Sequence, residues 1–293
     1  MPTVATARLA FIVVVAALAS EAAATVPEVP ADDIFGFTSP TDVGNPGETG
    51  FANENDGRVG KRGGSYRALN AKYELSHTPA PDWWVAASLF ASHNHARDVP
   101  GFTDVNRTDF DGLSFEIERR IVKRTVGNPF AIAVSLEPRW GRVDAAVGLP
   151  AHFVNAAFKL FVDAVVVPDK VFWALNAIWV PQRAEDPLDR SRWLSSSGIA
   201  LSTAIAYQWS PRFFLGAEVR YLGIFSTIFP TQEVGHAVYT GPTLWWKVTD
   251  TVAFNTTFQP QIAGRSIGNP QHRLDLDNFE KAQFRAKLTV AFQ

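Results

Sequence analysis

The chain has 293 residues, a formal charge of −2 and no cysteine. Near-neutrality argues against a nucleic-acid partner, which needs a concentrated basic face. The missing thiols exclude disulfides and Cys-ligated metals, and past the N-terminus no apolar run is long enough for a membrane helix.

Residues 1–24 read as a cleaved secretory signal, with Arg8, an apolar stretch over 9–19 and Ala22-Ala23-Ala24 at a small-residue cut. Glu21 is untidy there, and cleavage after Ala19 is the second choice. Residues 25–47 are rich in Pro and Asp and read as irregular. They form either a flexible periplasmic tail or a plug folded into a barrel mouth on Phe35 and Phe37. No linker divides residues 48–293, which read as one domain.

Within that domain the alternation predicts strands over 48–59, 65–77, 83–95, 109–121, 129–140, 152–166, 169–181, 193–209, 212–225, 234–248, 251–263 and 278–292. Each is long enough for the ~9–11 tilted residues of a membrane crossing. The faces separate cleanly. Leu113, Phe115 and Ile117 oppose Ser114, Glu116, Glu118 and Arg120; Phe284, Ala286, Leu288, Val290 and Phe292 oppose Gln283, Arg285, Lys287 and Thr289. Connections alternate between tight turns (78–82, 167–169, 210–211, 249–250) and longer loops (96–108, 141–151, 182–192, 226–233, 264–277), with 123–128 intermediate. Short turns at one end and long loops at the other are the habit of an outer-membrane barrel, with both termini in the periplasm.

Aromatics gather at strand ends: Trp83, Trp84, Trp209, Phe213, Trp245 and Trp246 by the turns, Trp140, Trp179, Trp193 and Phe225 by the loops. They suggest two interfacial belts. The expected fold is therefore an all-β transmembrane antiparallel up-and-down β-barrel of twelve strands, monomeric, in a bacterial outer membrane. A soluble secreted β protein is the alternative. One segment is ambiguous: Asn155, Lys159 and Asp163, four apart, also suit an amphipathic helix over 152–166. The strand is preferred because a Pro168-Asp169 turn and another strand follow, at the cost of putting Phe153 and Phe161 in the lumen.

Phe35-Gly36-Phe37-Thr38, Asp42-Val43-Gly44, Gly47-Glu48, Gly60-Lys61-Arg62, Phe110-Asp111-Gly112-Leu113-Ser114 and Trp140-Gly141-Arg142-Val143-Asp144 together carry a resemblance. So do Gly216, Glu218-Val219-Arg220-Tyr221-Leu222, His236-Ala237 and Gly241-Pro242-Thr243-Leu244. With these the chain resembles a family of uncharacterised exported proteins of proteobacteria, over most of its mature length. The resemblance brings no activity and no functional residue. The last strand is also similar to the signal that barrel assembly machinery reads on Gram-negative outer-membrane proteins, although the aromatic, Phe292, is penultimate.

The inward face is expected to carry Lys72, Glu74, Glu116, Glu118, Arg120, Glu137, Arg139, Lys159, Asp163, Glu218, Arg220, Arg285 and Lys287. They form either a solute-selecting constriction or a ladder of ion pairs filling a narrow barrel. His93 and His95, two apart with Asp98 near, could ligate a metal, but a solvated loop end is preferred, so neither metal nor cofactor is expected. No G-x-S-x-G elbow marks a hydrolase. Asn106-Arg107-Thr108 and Asn255-Thr256-Thr257 match the glycosylation pattern by chance. Arg58 with Gly60-Lys61-Arg62-Gly63-Gly64 lacks the spacing of a phosphate loop; outside a barrel it could meet lipopolysaccharide phosphates, or be a plain turn.

The function these features suggest is passive passage of a small solute. A structural barrel with a filled lumen is the alternative, and a lipid-modifying outer-membrane enzyme the second. Expected partners are outer-membrane lipid, lipopolysaccharide, assembly machinery acting on the last strand, and an unnamed solute.

Overall fold

Period-2 sequence resolves into strands β1 (Thr49–Val59), β2 (Ser65–Ala80), β3 (Trp83–Arg97), β4 (Val105–Val122), β5 (Phe130–Val143) and β6 (Pro150–Val167) in the first half. The second half gives β7 (Val171–Glu185), β8 (Trp193–Ser210), β9 (Phe213–Phe225), β10 (Glu233–Lys247), β11 (Val252–Ser266) and β12 (Ala282–Phe292). These come from a computed structural model that describes Val29 and residues 33–292, so the secretory signal predicted over 1–24 lies outside the described residues. Each strand pairs with the next, and β1 pairs antiparallel with β12, closing a barrel. Closure leaves no ladder edge without a partner, which is what lets strands sit in lipid. The turns at Pro81-Asp82 and Pro168-Asp169 work because Asp82 (φ 67°) and Asp169 (φ 55°) take a left-handed conformation that Asp tolerates.

The strands reach further into the long-loop end than alternation predicts, β4 starting at Val105 and β11 ending at Ser266. The last strand differs the other way, starting at Ala282 rather than 278. Residues 278–280 turn inward instead: Asn278 N donates to Asp275 Oδ1 (3.0 Å), Phe279 is buried, and Tyr239 Oη donates to Glu280 O (2.7 Å). The ambiguous segment is the strand β6. Its lumenal Phe153 fills the space over Gly141, its register partner, where an added Cβ would lie 2.0 Å from the ring.

Leu75, Leu89, Leu113, Phe115, Ile117, Leu201, Ile205, Leu215 and Phe258 are all exposed on the outer face. So broad an apolar band needs a covering, and on a closed barrel that covering is lipid. The aromatic belt by the turns is thinner than the sequence suggests, because adjacent tryptophans alternate. Trp209 and Trp246 are exposed, but Trp245 is buried inside and Trp84 lines the lumen.

Residues 33–44 lie inside the turn-end half of the barrel, and 45–47 are exposed at its rim. Val29, Ile34 and Phe35 join Val165, Phe172, Ala174, Ala204, Ala206, Phe214, Trp245 and Ala253 in an apolar cluster. Fully burying a residue such as Phe35 is worth about 1.5–3 kcal/mol.

Candidate functional site

Alternation aims every second side chain of twelve strands at the axis, and those side chains are strongly charged. Lys159, from β6, sits between Glu116 and Glu137, with Nζ 2.7 Å from each carboxylate. Ser135 donates to Glu116 (2.5 Å) and Ser114 to Glu137 (2.7 Å), which satisfies more of the oxygens. Lys72 pairs with Glu74 (2.5 Å), and Arg139 with Asp111 (2.6 Å) while resting on Phe90, its guanidinium carbon 3.8 Å from the ring centroid. Arg285 takes Asp56 in a fork, Nε at 2.7 Å and Nη2 at 2.8 Å, and Glu54 at 2.9 Å. Buried charges persist only when partnered like this.

The N-terminal segment is bound by the same chemistry. Glu218 accepts from Phe37 N (2.8 Å), Thr38 Oγ1 (2.5 Å) and Gln259 Nε2 (2.6 Å). Asp163 accepts from Thr41 N (2.7 Å), Thr41 Oγ1 (2.8 Å) and Arg124 Nη1. Asp42 bridges Arg120 (2.7 Å) and Arg124, and Lys287 pairs with Asp33. Asn255 Nδ2 donates to the carbonyls of Asp33 (2.7 Å) and Phe35. At Gly36 the seat is so close that a Cβ would meet Glu218 Oε2 at 2.3 Å, with Thr257 and Thr243 alongside. Phe37 meets two cations, Arg220 at 3.4 Å and Arg285 at 4.4 Å from its ring centroid.

Phe37 and Arg285 border two lumenal cavities among the described residues. The lower one, on the turn side, has a volume of about 440 Å³. It is lined by Lys72, Glu74, Glu116, Glu118, Glu137, Arg139, Lys159 and Lys287, together with Asp33 and Asp42 of the segment. The upper one, about 260 Å³, is lined by Asp56, Arg58, Arg220 and Gln283. Above it the loop 267–281 folds inward. Arg58 pairs with Glu280 (3.4 Å), Lys61 Nζ donates to Phe279 O (3.0 Å), and Arg62 pairs with Asp277 (2.8 Å).

The inward charges read from sequence thus fall into three groups: those lining the lower cavity, Arg220 and Arg285 beside the upper one, and Arg120, Asp163 and Glu218 on the segment. Sequence reasoning missed Glu54 and Asp56 and put Arg58 in an external loop rather than on the lumen, because β1 alternates weakly, although their period-2 spacing was a signal. It missed Asp111 because a register shift between Phe90 and Ala91 turns that odd-numbered residue inward. The basic stretch at 58–62 faces the inward-folded loop through Glu280 and Asp277. His93 is exposed, with Nδ1 2.9 Å from Thr108 Oγ1, and among the described residues no cluster of three His, Cys, Asp or Glu could hold a metal ion.

Solved structures share the architecture. An outer membrane channel from Pseudomonas putida F1 is similar with a TM-score of 0.56 at 11% identity, over 90% of this chain and all of that one. The beta domain of the Bordetella autotransporter BrkA gives 0.52 at 13%, over 86% and 100%. At such identities the likeness is one of fold alone, a closed antiparallel β-barrel. No curated protein matches. Residues 27–292 match the family of unknown function DUF6662, and the chain belongs to that family.

Proposed function

We propose that this barrel resides in the bacterial outer membrane, assembled through β12, and passes a small solute without energy input. In this reading residues 33–47 act as a movable obstruction. The observation that carries it is the pair of polar cavities, about 440 and 260 Å³, that meet at Phe37. Lipid surrounds the apolar band, and lipopolysaccharide lies at the loop end. The filled-lumen reading is favoured by the segment's own hydrogen bonds. In the channel reading those bonds are a latch that breaks and re-forms as the segment moves.

Single-channel recording in planar bilayers separates the two. The full chain is expected to give small or brief openings, and Asp42→Ala, which removes the carboxylate that Arg120 and Arg124 share on the segment, several-fold more open time. Silence from both proteins supports the filled barrel. Turnover of phospholipid or lipid A by the purified protein would overturn a conduit in favour of an enzyme.

A further inference from the structure

The upper cavity has more cation than its walls can neutralise. Of its lining residues, Arg58, Arg220 and Arg285 are basic and Asp56 is acidic. Asp56 is consumed by the two-pronged contact with Arg285. Arg220, which is buried, donates from Nε to Gln259 Oε1 (2.7 Å) and from Nη2 to Gln283 Oε1 (2.6 Å), both neutral amides. Among the described residues no carboxylate lies within ion-pair distance of it; Glu218, two residues back on β9, accepts from Phe37 and Thr38 and reaches Arg220 only through the Gln259 amide. Arg58 reaches one carboxylate, Glu280, at 3.4 Å, and shares it with Lys61 at 3.6 Å. Its Nε and Nη2 are buried with no hydrogen-bond partner. Those two atoms form the edge that Arg285 uses to grip Asp56. A guanidinium edge presents two parallel N–H donors matched to a carboxylate.

The two under-compensated arginines are neighbours. Arg58 stands across the β1–β12 ladder from Gln283, the residue that accepts from Arg220. Directly opposed positions lie about 5 Å apart at Cβ. A buried cation left without an anion is unfavourable, and a mobile anion relieves it. The cavity, about 260 Å³, falls just short of the ~300 Å³ at which drug-sized pockets begin. That leaves room for a small organic molecule.

We propose that the upper cavity is a binding site for a small organic carboxylate, held between Arg58 and Arg220. This names the solute class for the channel above and rests on that reading only for its role in passage, since the binding itself needs no conduction.

Calorimetry on the detergent-purified full chain, in low-salt zwitterionic buffer, tests it with acetate and succinate against the neutral acetamide and succinamide. The carboxylates are expected to bind saturably and the amides not. Removing one charged partner should weaken succinate about tenfold or more. Arg220→Gln should do so, and so should Arg58→Gln, which leaves the Phe37 stack intact and covers the case in which the first variant does not fold. No saturable carboxylate binding, equal binding of succinamide, or unchanged affinity in folded Arg58→Gln would each overturn the site. Succinate binding by a barrel that never conducts overturns the channel and keeps the site; conduction without succinate binding does the reverse.

Discussion

Asp163 has no exposed surface and three donors around it, two from Thr41 and one from Arg124. Its charge is held by neighbours from a turn and from the N-terminal segment rather than by its own strand. Asp163→Asn keeps the shape and removes the charge, which should cost about 1.5–3 kcal/mol and lower the melting temperature; an unchanged melting curve would show that these bonds add nothing. At the loop end, the hydrogen bond from Arg62 holds the Asp277 carboxyl below its ordinary range. A depressed carboxylate stabilises above its unfolded pKa, about 3.9, and the gain is lost as pH falls through the folded value. The loop 267–281 should therefore be cleaved faster by protease as pH falls below about 4, and equal cleavage there and at pH 7 would show that the Arg62–Asp277 contact does not hold the loop.

At the scale of elements, the N-terminal segment docks as an irregular, bent stretch, held by an apolar cluster and by charges and amides along its length. Phe35→Ala removes the apolar anchor, and Gly36→Val drives a side chain into Glu218 and Thr257. Each should free the segment, with Phe35→Ala losing about 2–3 kcal/mol of docking, visible as new protease cleavage near residue 40 in a barrel that stays folded. Continued protection in both variants would mean that the charges alone suffice. The strands were legible because Leu113 to Glu118 and Phe284 to Val290 alternate without a break. The lumenal partners of those charges were not, because alternation names a face and not a neighbour. Nothing local in Asp42 says that it meets Arg120 and Arg124 some eighty residues on. Glu218 looked like one more inward acid, and its job depends on a segment with no periodicity at all.

The whole molecule is a closed wall, apolar outside, with ion pairs and two cavities inside. Such closure resists detergent, so the folded chain should run as a heat-modifiable band on cold electrophoresis, and an identical migration before and after boiling would contradict it. Whether the lumen opens is a question about one contact set, the seat of residues 33–47. Thr38 Oγ1 lies 2.8 Å from Ser202 Oγ on β8, and with no native cysteine the double variant T38C/S202C would form one defined disulfide. Single-channel recording of that variant, oxidised and then reduced, is the most direct test of a movable obstruction. The account predicts a silent oxidised barrel whose openings return to the level of the full native chain on reduction, and equal conductance in the two states would contradict it.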